Sequence, residues 1–277
     1  MSDTANEMMG EYWAGAGGDR WLANERLLER QMGAIGDRLL EVAALRPGER
    51  VIEIGCGTGL LAAQIAAAVA PGSLLAVDIS EPLLAVARRD VPTVEFRHAD
   101  AQTDALPAGH DLALSRFGVM FFADAGVAFA NIRPRLQPGG RLCFVCWAPV
   151  ADIPCWSGPL SIAVAHLGMP EPTPPETPGP LSLSDPTRVR GVLAAAGFAD
   201  VEIRTETVPT RQDSLYDAVT LAITMGPAGA LMKAKEADAE MVAAIRAEIT
   251  RDWRQYEVAG GAAVPARVHF VTALNPG

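Results

Sequence analysis

Nine residues, VIEIGCGTG at positions 51–59, constrain the fold more than any other part of the chain. Val51 to Ile54 is an apolar β-type run carrying one acid, Glu53, and glycines follow at alternate positions, Gly55, Gly57 and Gly59. LLAAQIAAAVA (60–70) then reads as a helix. A strand, a tight glycine turn and a helix N-terminus together bring backbone N–H groups up to a nucleotide-like ligand, because glycine lacks the Cβ that would hold the ligand off. The spacing separates this loop from the dinucleotide fingerprint G-x-G-x-x-G: counting from Gly55, the sixth position is Leu60. The acid two residues before the first glycine is no part of that fingerprint either.

Beyond the loop, strand and helix patterns alternate, which predicts an α/β fold with a parallel sheet covered on both faces. The predicted strands are 50–54, 74–79, 94–100, 111–117, 141–147, 201–208 and 267–274. Helices are expected at 59–69, after Ser80 (an N-cap with Pro82 in the first turn), at 124–136 and at 186–196. Residues 21–45 have helical spacing, from Trp21 and Leu22 through Leu27, Leu28 and Ile35 to Leu39 and Leu40. Ahead of them, Tyr12, Trp13 and Trp21 are interleaved with Gly15, Gly17 and Gly18, which reads as a flexible segment with apolar anchors. The alternation breaks at 148–186, which holds the proline-dense MPEPTPPETPGP, and again at 213–262, where 214–226 and 233–258 are predicted helical and Gly260-Gly261 a stop. The division expected is an N-terminal lid or helical segment, 1–45, and one ligand-binding domain, 46–277, with insertions at about 148–186 and 213–262.

A net charge of −10 repels phosphate backbones and argues against a nucleic-acid partner. No run of 18 uncharged apolar residues exists, so no membrane insertion is expected, and MSDTANEMMGEYW lacks the basic start and apolar core of a signal peptide. A cytoplasmic protein is the expectation. The four cysteines are too few for a disulfide framework, and no second pair accompanies Cys143 and Cys146 to hold a metal, so none is expected.

E-x-G-x-G-x-G after a strand resembles motif I of the class I S-adenosylmethionine (SAM)-dependent methyltransferases, closely over residues 45–147 and loosely over 186–208 and 267–274. The resemblance implies a Rossmann-like seven-stranded sheet whose last strand is inserted antiparallel between the fifth and sixth. It implies SAM as cofactor and S-adenosylhomocysteine (SAH) as product. It also carries roles onto this sequence: the loop Gly55, Cys56, Gly57 and Gly59 against the methionine part, and Glu53 on its amino group. Asp78 is placed on the ribose hydroxyls, Ile79 on the adenine face, and Asp100 with Ala101 on the adenine edge. Ser115, Arg116 and Phe117 fall at the motif IV position, where Arg116 has a carboxylate of cofactor or substrate, or a nearby acid, to pair with. Tyr12 and Trp21 belong to an arm that closes over the ligands and offers an aromatic face to the sulfonium.

Methyl transfer from SAM needs alignment and exclusion of water more than it needs a base. The catalytic residue is therefore harder to read than the cofactor site; His166, in the first insertion, Tyr216 and Tyr12 are the candidates. The position that reads N/D-P-P-Y/F in adenine and glutamine methyltransferases reads SRFG here, and Pro154-Cys155 lies too late to be a cytosine nucleophile. The arm and helical inserts resemble the ubiquinone/menaquinone C-methyltransferase-like branch, which implies a small, hydrophobic or aromatic organic acceptor. A homodimer stays open. Two other readings share part of the pattern: a SAM-binding protein that transfers no methyl, and an NAD(P)-dependent oxidoreductase, which the glycine spacing and the lack of Tyr-x-x-x-Lys oppose.

Overall fold

The computed structural model describes residues 2–277; Met1, first residue of the expected lid, lies outside the described residues. The chain runs through helices α1 (Ser2–Ala14), α2 (Ala16–Ala23) and α3 (Glu25–Ala43) into strand β1 (Arg50–Ile54). There follow α4 (Leu60–Val69), β2 (Ser73–Asp78), α5 (Glu81–Asp90), β3 (Glu95–His98), β4 (His110–Arg116), α6 (Ala125–Ile132) and β5 (Leu136–Trp147). Then come α7 (Pro154–Leu167), α8 (Pro186–Ala195), β6 (Ala199–Gln212), α9 (Leu215–Thr224), α10 (Pro227–Ala234), α11 (Ala239–Trp253), β7 (Glu257–Val258) and β8 (Gly261–Leu274).

The strands form one sheet in the order β3-β2-β1-β4-β5-β8-β6, with β7 paired to β8 outside this path. β1 to β5 are parallel; β8 runs antiparallel between β5 and β6. In β1 and β2 every residue but the first is buried. Side chains of both parities are therefore covered, as a sheet with helices on both faces requires. Ser80 caps α5, its Oγ accepting from the Leu83 N–H at 3.4 Å. The fold matches the seven-stranded expectation, with the two-residue β7 an addition.

Several boundaries differ from the sequence reading for local reasons. Residues 2–14 and 16–23 form helices where no regular element was expected before residue 21; Gly17 and Gly18 serve close packing, since a Cβ on Gly17 would meet the Tyr12 ring at 2.3 Å and one on Gly18 the Trp13 carbonyl oxygen at 2.3 Å. β3 stops at His98 because Asp100 turns the chain, its Oδ1 accepting from the Gln102 N–H at 2.8 Å. β5 starts at Leu136, through Pro138-Gly139-Gly140, because Asn275 supplies the missing ladder partners: its Nδ2 donates to the Leu136 carbonyl at 2.9 Å and its carbonyl accepts from the Gly139 N–H at 2.8 Å. Gly261 opens β8 instead of ending a helix. A Cβ there would lie 1.9 Å from the Gln212 carbonyl oxygen, so the glycine lets the β6–β8 pair close tightly. The expected helix 233–258 is broken before Asp238, which caps α11 by accepting from the Met241 N–H at 2.8 Å.

Candidate functional site

The crossover direction of the sheet reverses between β1 and β4, and the crevice beyond the carboxyl ends of such neighbouring strands is where α/β sheets bind ligands. A cavity of about 1070 Å³, counting the space at its mouth, opens there. β1 and its loop contribute Glu53 to Thr58; β2 contributes Asp78 and Ile79; the β3 end contributes Ala99, Asp100 and Ala101; the β4 end contributes Arg116, Phe117 and Gly118. Trp13 and Trp21 close it from the N-terminal arm.

The three motif glycines answer three different demands. Gly55 has φ 71° and faces Gly118, whose Cα would lie 2.8 Å from an added Cβ; the loops after β1 and β4 touch backbone to backbone. Gly59, at φ 79°, caps α4 and would drive a Cβ to 2.8 Å from Phe96, so its role is packing and it does not line the cavity. Gly57, at φ 55°, has nothing within 4 Å of an added Cβ and lines the cavity; space is kept there for something other than protein.

Glu53 is the most unusual group. Its side chain is buried, and Oε2 accepts no hydrogen bond. Burial pushes its carboxyl up to about 8, against the attraction of Arg116 and with the help of the Asp78 charge. An unpaired buried carboxylate costs several kcal/mol, so this position is built for a cationic partner. Asp78 is also buried and raised above the usual carboxylate range by that burial, but here N–H donors oppose it: Gly57 at 2.7 Å on Oδ2 and Ser80 at 2.9 Å on Oδ1. Asp78 thus ties the glycine loop to the start of α5. Asp100 receives the side-chain amide of Asn6 and, at 2.8 Å, the Thr103 hydroxyl. Cys56 lines the cavity with a thiol pushed well up by burial and is no nucleophile at neutral pH.

Some expected residues are not in the cavity. Ser115 is fully buried behind it, donating to the Ile54 carbonyl at 2.7 Å and accepting from the Gly118 N–H at 3.2 Å, so it shapes the loops. Tyr12 packs edge-on against Trp13, outside the lining. His166 pairs with Glu248 at 2.9 Å between α7 and α11, and Tyr216 is exposed beneath the Arg246 guanidinium. None of residues 148–186 or 213–262 lines the cavity; α7 and α9–α11 pack on one another and on β8 instead. Other residues enter that were not singled out: Asn6, Met9, Phe121, Phe122 and, from one face of α3, Glu25, Leu28, Glu29 and Met32. Their spacing of three, one and three is a helical stripe visible in the sequence.

The arm is fastened over this site. Ser80 Oγ donates to the Trp13 carbonyl at 2.7 Å, and the Trp13 ring stands edge-on to both Trp21 and Phe121, at 6.0 and 5.0 Å between centroids. Among the described residues no single helix is long and apolar enough to cross a membrane, and no cluster of His, Cys, Asp and Glu is placed to hold a metal.

Comparison with known proteins addresses what such a cavity serves. Residues 51–140 match the family described as "Methyltransferase domain". Nocamycin O-methyltransferase of Saccharothrix syringae is 28% identical over 258 residues, 87% of this chain and 91% of that protein. Ubiquinone/menaquinone biosynthesis C-methyltransferase UbiE of Teredinibacter turnerae is 34% identical over only 111 residues, 37% of this chain and 45% of that one. Other curated relatives are likewise matched over 32% to 60% of their own length. Among solved structures, the YcgJ protein of Bacillus superposes with a TM-score of 0.54 at 16% identity, over 86% of this chain and 97% of that one. The domain match begins on the strand that carries Glu53 and takes in every strand end that lines the cavity; residues 51–140 form a methyltransferase domain of the class I SAM-dependent kind, with SAM as cofactor.

Proposed function

We propose that the enzyme methylates an oxygen of a small, hydrophobic acceptor, with Glu53, Gly57, Asp78, Ile79, Asp100 and Ala101 forming the cofactor half of the cavity. The observation that carries this reading is the division of one cavity into two chemistries. One part presents acids and backbone at the strand ends; the other is a wall of Trp13, Trp21, Leu28, Met32, Phe117, Phe121 and Phe122. The cofactor fits the first part: the orphan Oε2 of Glu53 suits an ammonium, and Gly57 leaves room for close approach. SAM, when bound, supplies a methyl on a positively charged sulfur that an aligned nucleophile displaces directly.

The chain's own residues exclude water and orient the acceptor. The aromatic wall removes an apolar molecule from water at about 25 cal/mol per Å² of buried surface. Among the described residues that line the cavity there is no histidine, so an acceptor proton has water, Glu25 or Glu29 to go to. Oxygen is favoured because the relative that matches nearly the whole chain is an O-methyltransferase. In this reading Trp13, Trp21, Leu28 and Met32 of the N-terminal segment supply one side of the acceptor wall and Phe117, Phe121 and Phe122 the other, and the segments 148–186 and 213–262 support the sheet from outside the cavity.

A panel of hydrophobic phenols, enols, carboxylic acids and amines, incubated with SAM labelled in its methyl group, tests the assignment. Label in an O-methyl product is expected. Label only in N-methyl products would overturn the oxygen assignment.

A further inference from the structure

Phe121 and Phe122 reach the acceptor half of the cavity from a single helical turn, Gly118–Phe121, that follows β4. The chain enters that turn through Phe117 at φ 65°, a left-handed conformation that a phenylalanine keeps only where its surroundings impose it. A turn this short also leaves its last carbonyls without partners of its own. Those partners come from the first insertion. The Met120 carbonyl accepts from the Ser182 hydroxyl at 2.6 Å and from the Gly179 N–H at 3.0 Å, and both Met120 and Ser182 are buried. Phe117 is braced from the same insertion: its ring stacks on Trp147, 4.5 Å between centroids, and Trp147 lies 4.4 Å from Trp156 of α7.

The segment that supplies the hydroxyl is itself fixed residue by residue. The Ser182 carbonyl accepts from Arg188 Nε of α8 at 3.0 Å, the Leu183 carbonyl from the Cys146 thiol of β5 at 3.3 Å, and the Ser184 carbonyl from His269 Nε2 of β8 at 3.0 Å. Residues 182–184 are thus tied in succession to a helix and two strands, so the Ser182 hydroxyl is a fixed point against which the turn is set. On its other side the Phe121 ring meets Trp13 edge-on at 5.0 Å, so any shift of the turn moves that ring against the arm. We infer that Ser182 is a positioning residue for the methyl acceptor: through the Met120 carbonyl it sets where the Phe121 ring stands in the apolar wall. This rests on the acceptor half proposed above. It goes beyond that reading by giving the first insertion, none of whose described residues lines the cavity, a part in deciding which acceptor fits.

The test is a double-mutant cycle read by titration calorimetry, with 2-naphthol as an apolar hydroxyl probe added to the SAH complex. Ser182→Ala should weaken 2-naphthol about 3- to 10-fold, the usual worth of one hydrogen bond, and change the SAH Kd less than about twofold. Ser182→Thr, which keeps the hydroxyl, should bind like wild type. Ser182→Cys, a weaker donor, carries the comparison if the alanine variant unfolds. Phe121→Ala should itself weaken 2-naphthol, and adding Ser182→Ala to it should cost less than about twofold more, because the ring through which the hydroxyl acts is gone. Persistence of the full loss in that background would overturn the assignment and leave Ser182 a residue of the fold alone. Equal weakening of SAH and 2-naphthol would overturn it too, as would 2-naphthol binding unchanged by Ser182→Ala. A wild-type SAH complex that binds no 2-naphthol would instead strike the acceptor wall itself.

Discussion

Titration of Glu53 should be visible in cofactor binding. In the ligand-free protein its carboxyl is held protonated up to about pH 8, chiefly by burial, with Asp78 adding to and Arg116 subtracting from the effect. An ammonium binds the ionised form, so the ligand must expel a proton, at about 1.4 kcal/mol for every pH unit below 8. SAH affinity should therefore rise about tenfold per unit, roughly 30-fold between pH 5.5 and 7, a window in which an α-ammonium stays charged. Calorimetry at pH 6.5 in two buffers of different ionisation enthalpy should show close to one proton released per ligand. Asp78 is raised in the same direction, so the control is Glu53→Gln: it should bind SAH more weakly at pH 7 and lose most of the slope. The same titration acts on stability. Because the folded state holds a proton that the unfolded chain releases near pH 4.5, this contribution is whole below that pH and fades as pH rises to about 8; ligand-free Glu53→Gln should gain on wild type across that interval. A flat wild-type affinity from pH 5.5 to 7, with no buffer dependence, would refute the reasoning.

Gly57→Val should abolish the thermal shift given by SAH while the protein still unfolds cooperatively, whereas Gly59→Ala should lower the melting temperature, since its Cβ must displace Phe96. Asp78→Ala should weaken SAH by about 1–3 kcal/mol, read as Kd, through loss of charge-assisted acceptors. Deleting residues 1–20, which removes Asn6, Met9 and Trp13 from the cavity, should lower kcat/KM far more than it lowers thermal stability; full activity would show that the arm is no part of the site.

The strand count and the residues at the carboxyl ends of β1, β2 and β3 were legible because each has a local signature: apolar runs, a glycine loop, an acid at a strand end; the strand order has no local signature and came only through the resemblance to methyltransferases. The acceptor half was not, because it depends on which side of α3 faces inward and where the arm lies. Glu25, Leu28, Glu29 and Met32 announce a helical face, but nothing in their order says that a cavity rather than the core lies beneath. His166 and Tyr216 drew notice as reactive side chains in an insertion. Their positions beside Glu248 and Arg246, away from the cavity, are decided by how α7 and α9 dock on α11, a long-range matter. Ser115 and Gly59 sit at motif positions yet serve the loops themselves, and pattern alone does not separate a residue that touches a ligand from one that shapes the turn beside it.

β8 is last in chain order among the strands yet lies between β5 and β6, pairing with β6 along most of its length and with β5 over Val268 to Leu274. During synthesis β1 to β5, and with them every strand end of the cavity, emerge well before the strand that joins β6 to the sheet. Until residues 261–274 arrive, β5 keeps an open apolar edge and β6 has no neighbour, a state that invites pairing with another chain. The cofactor pocket is thus made of early, local segments, while protection of the sheet from aggregation waits for the strand that is made last.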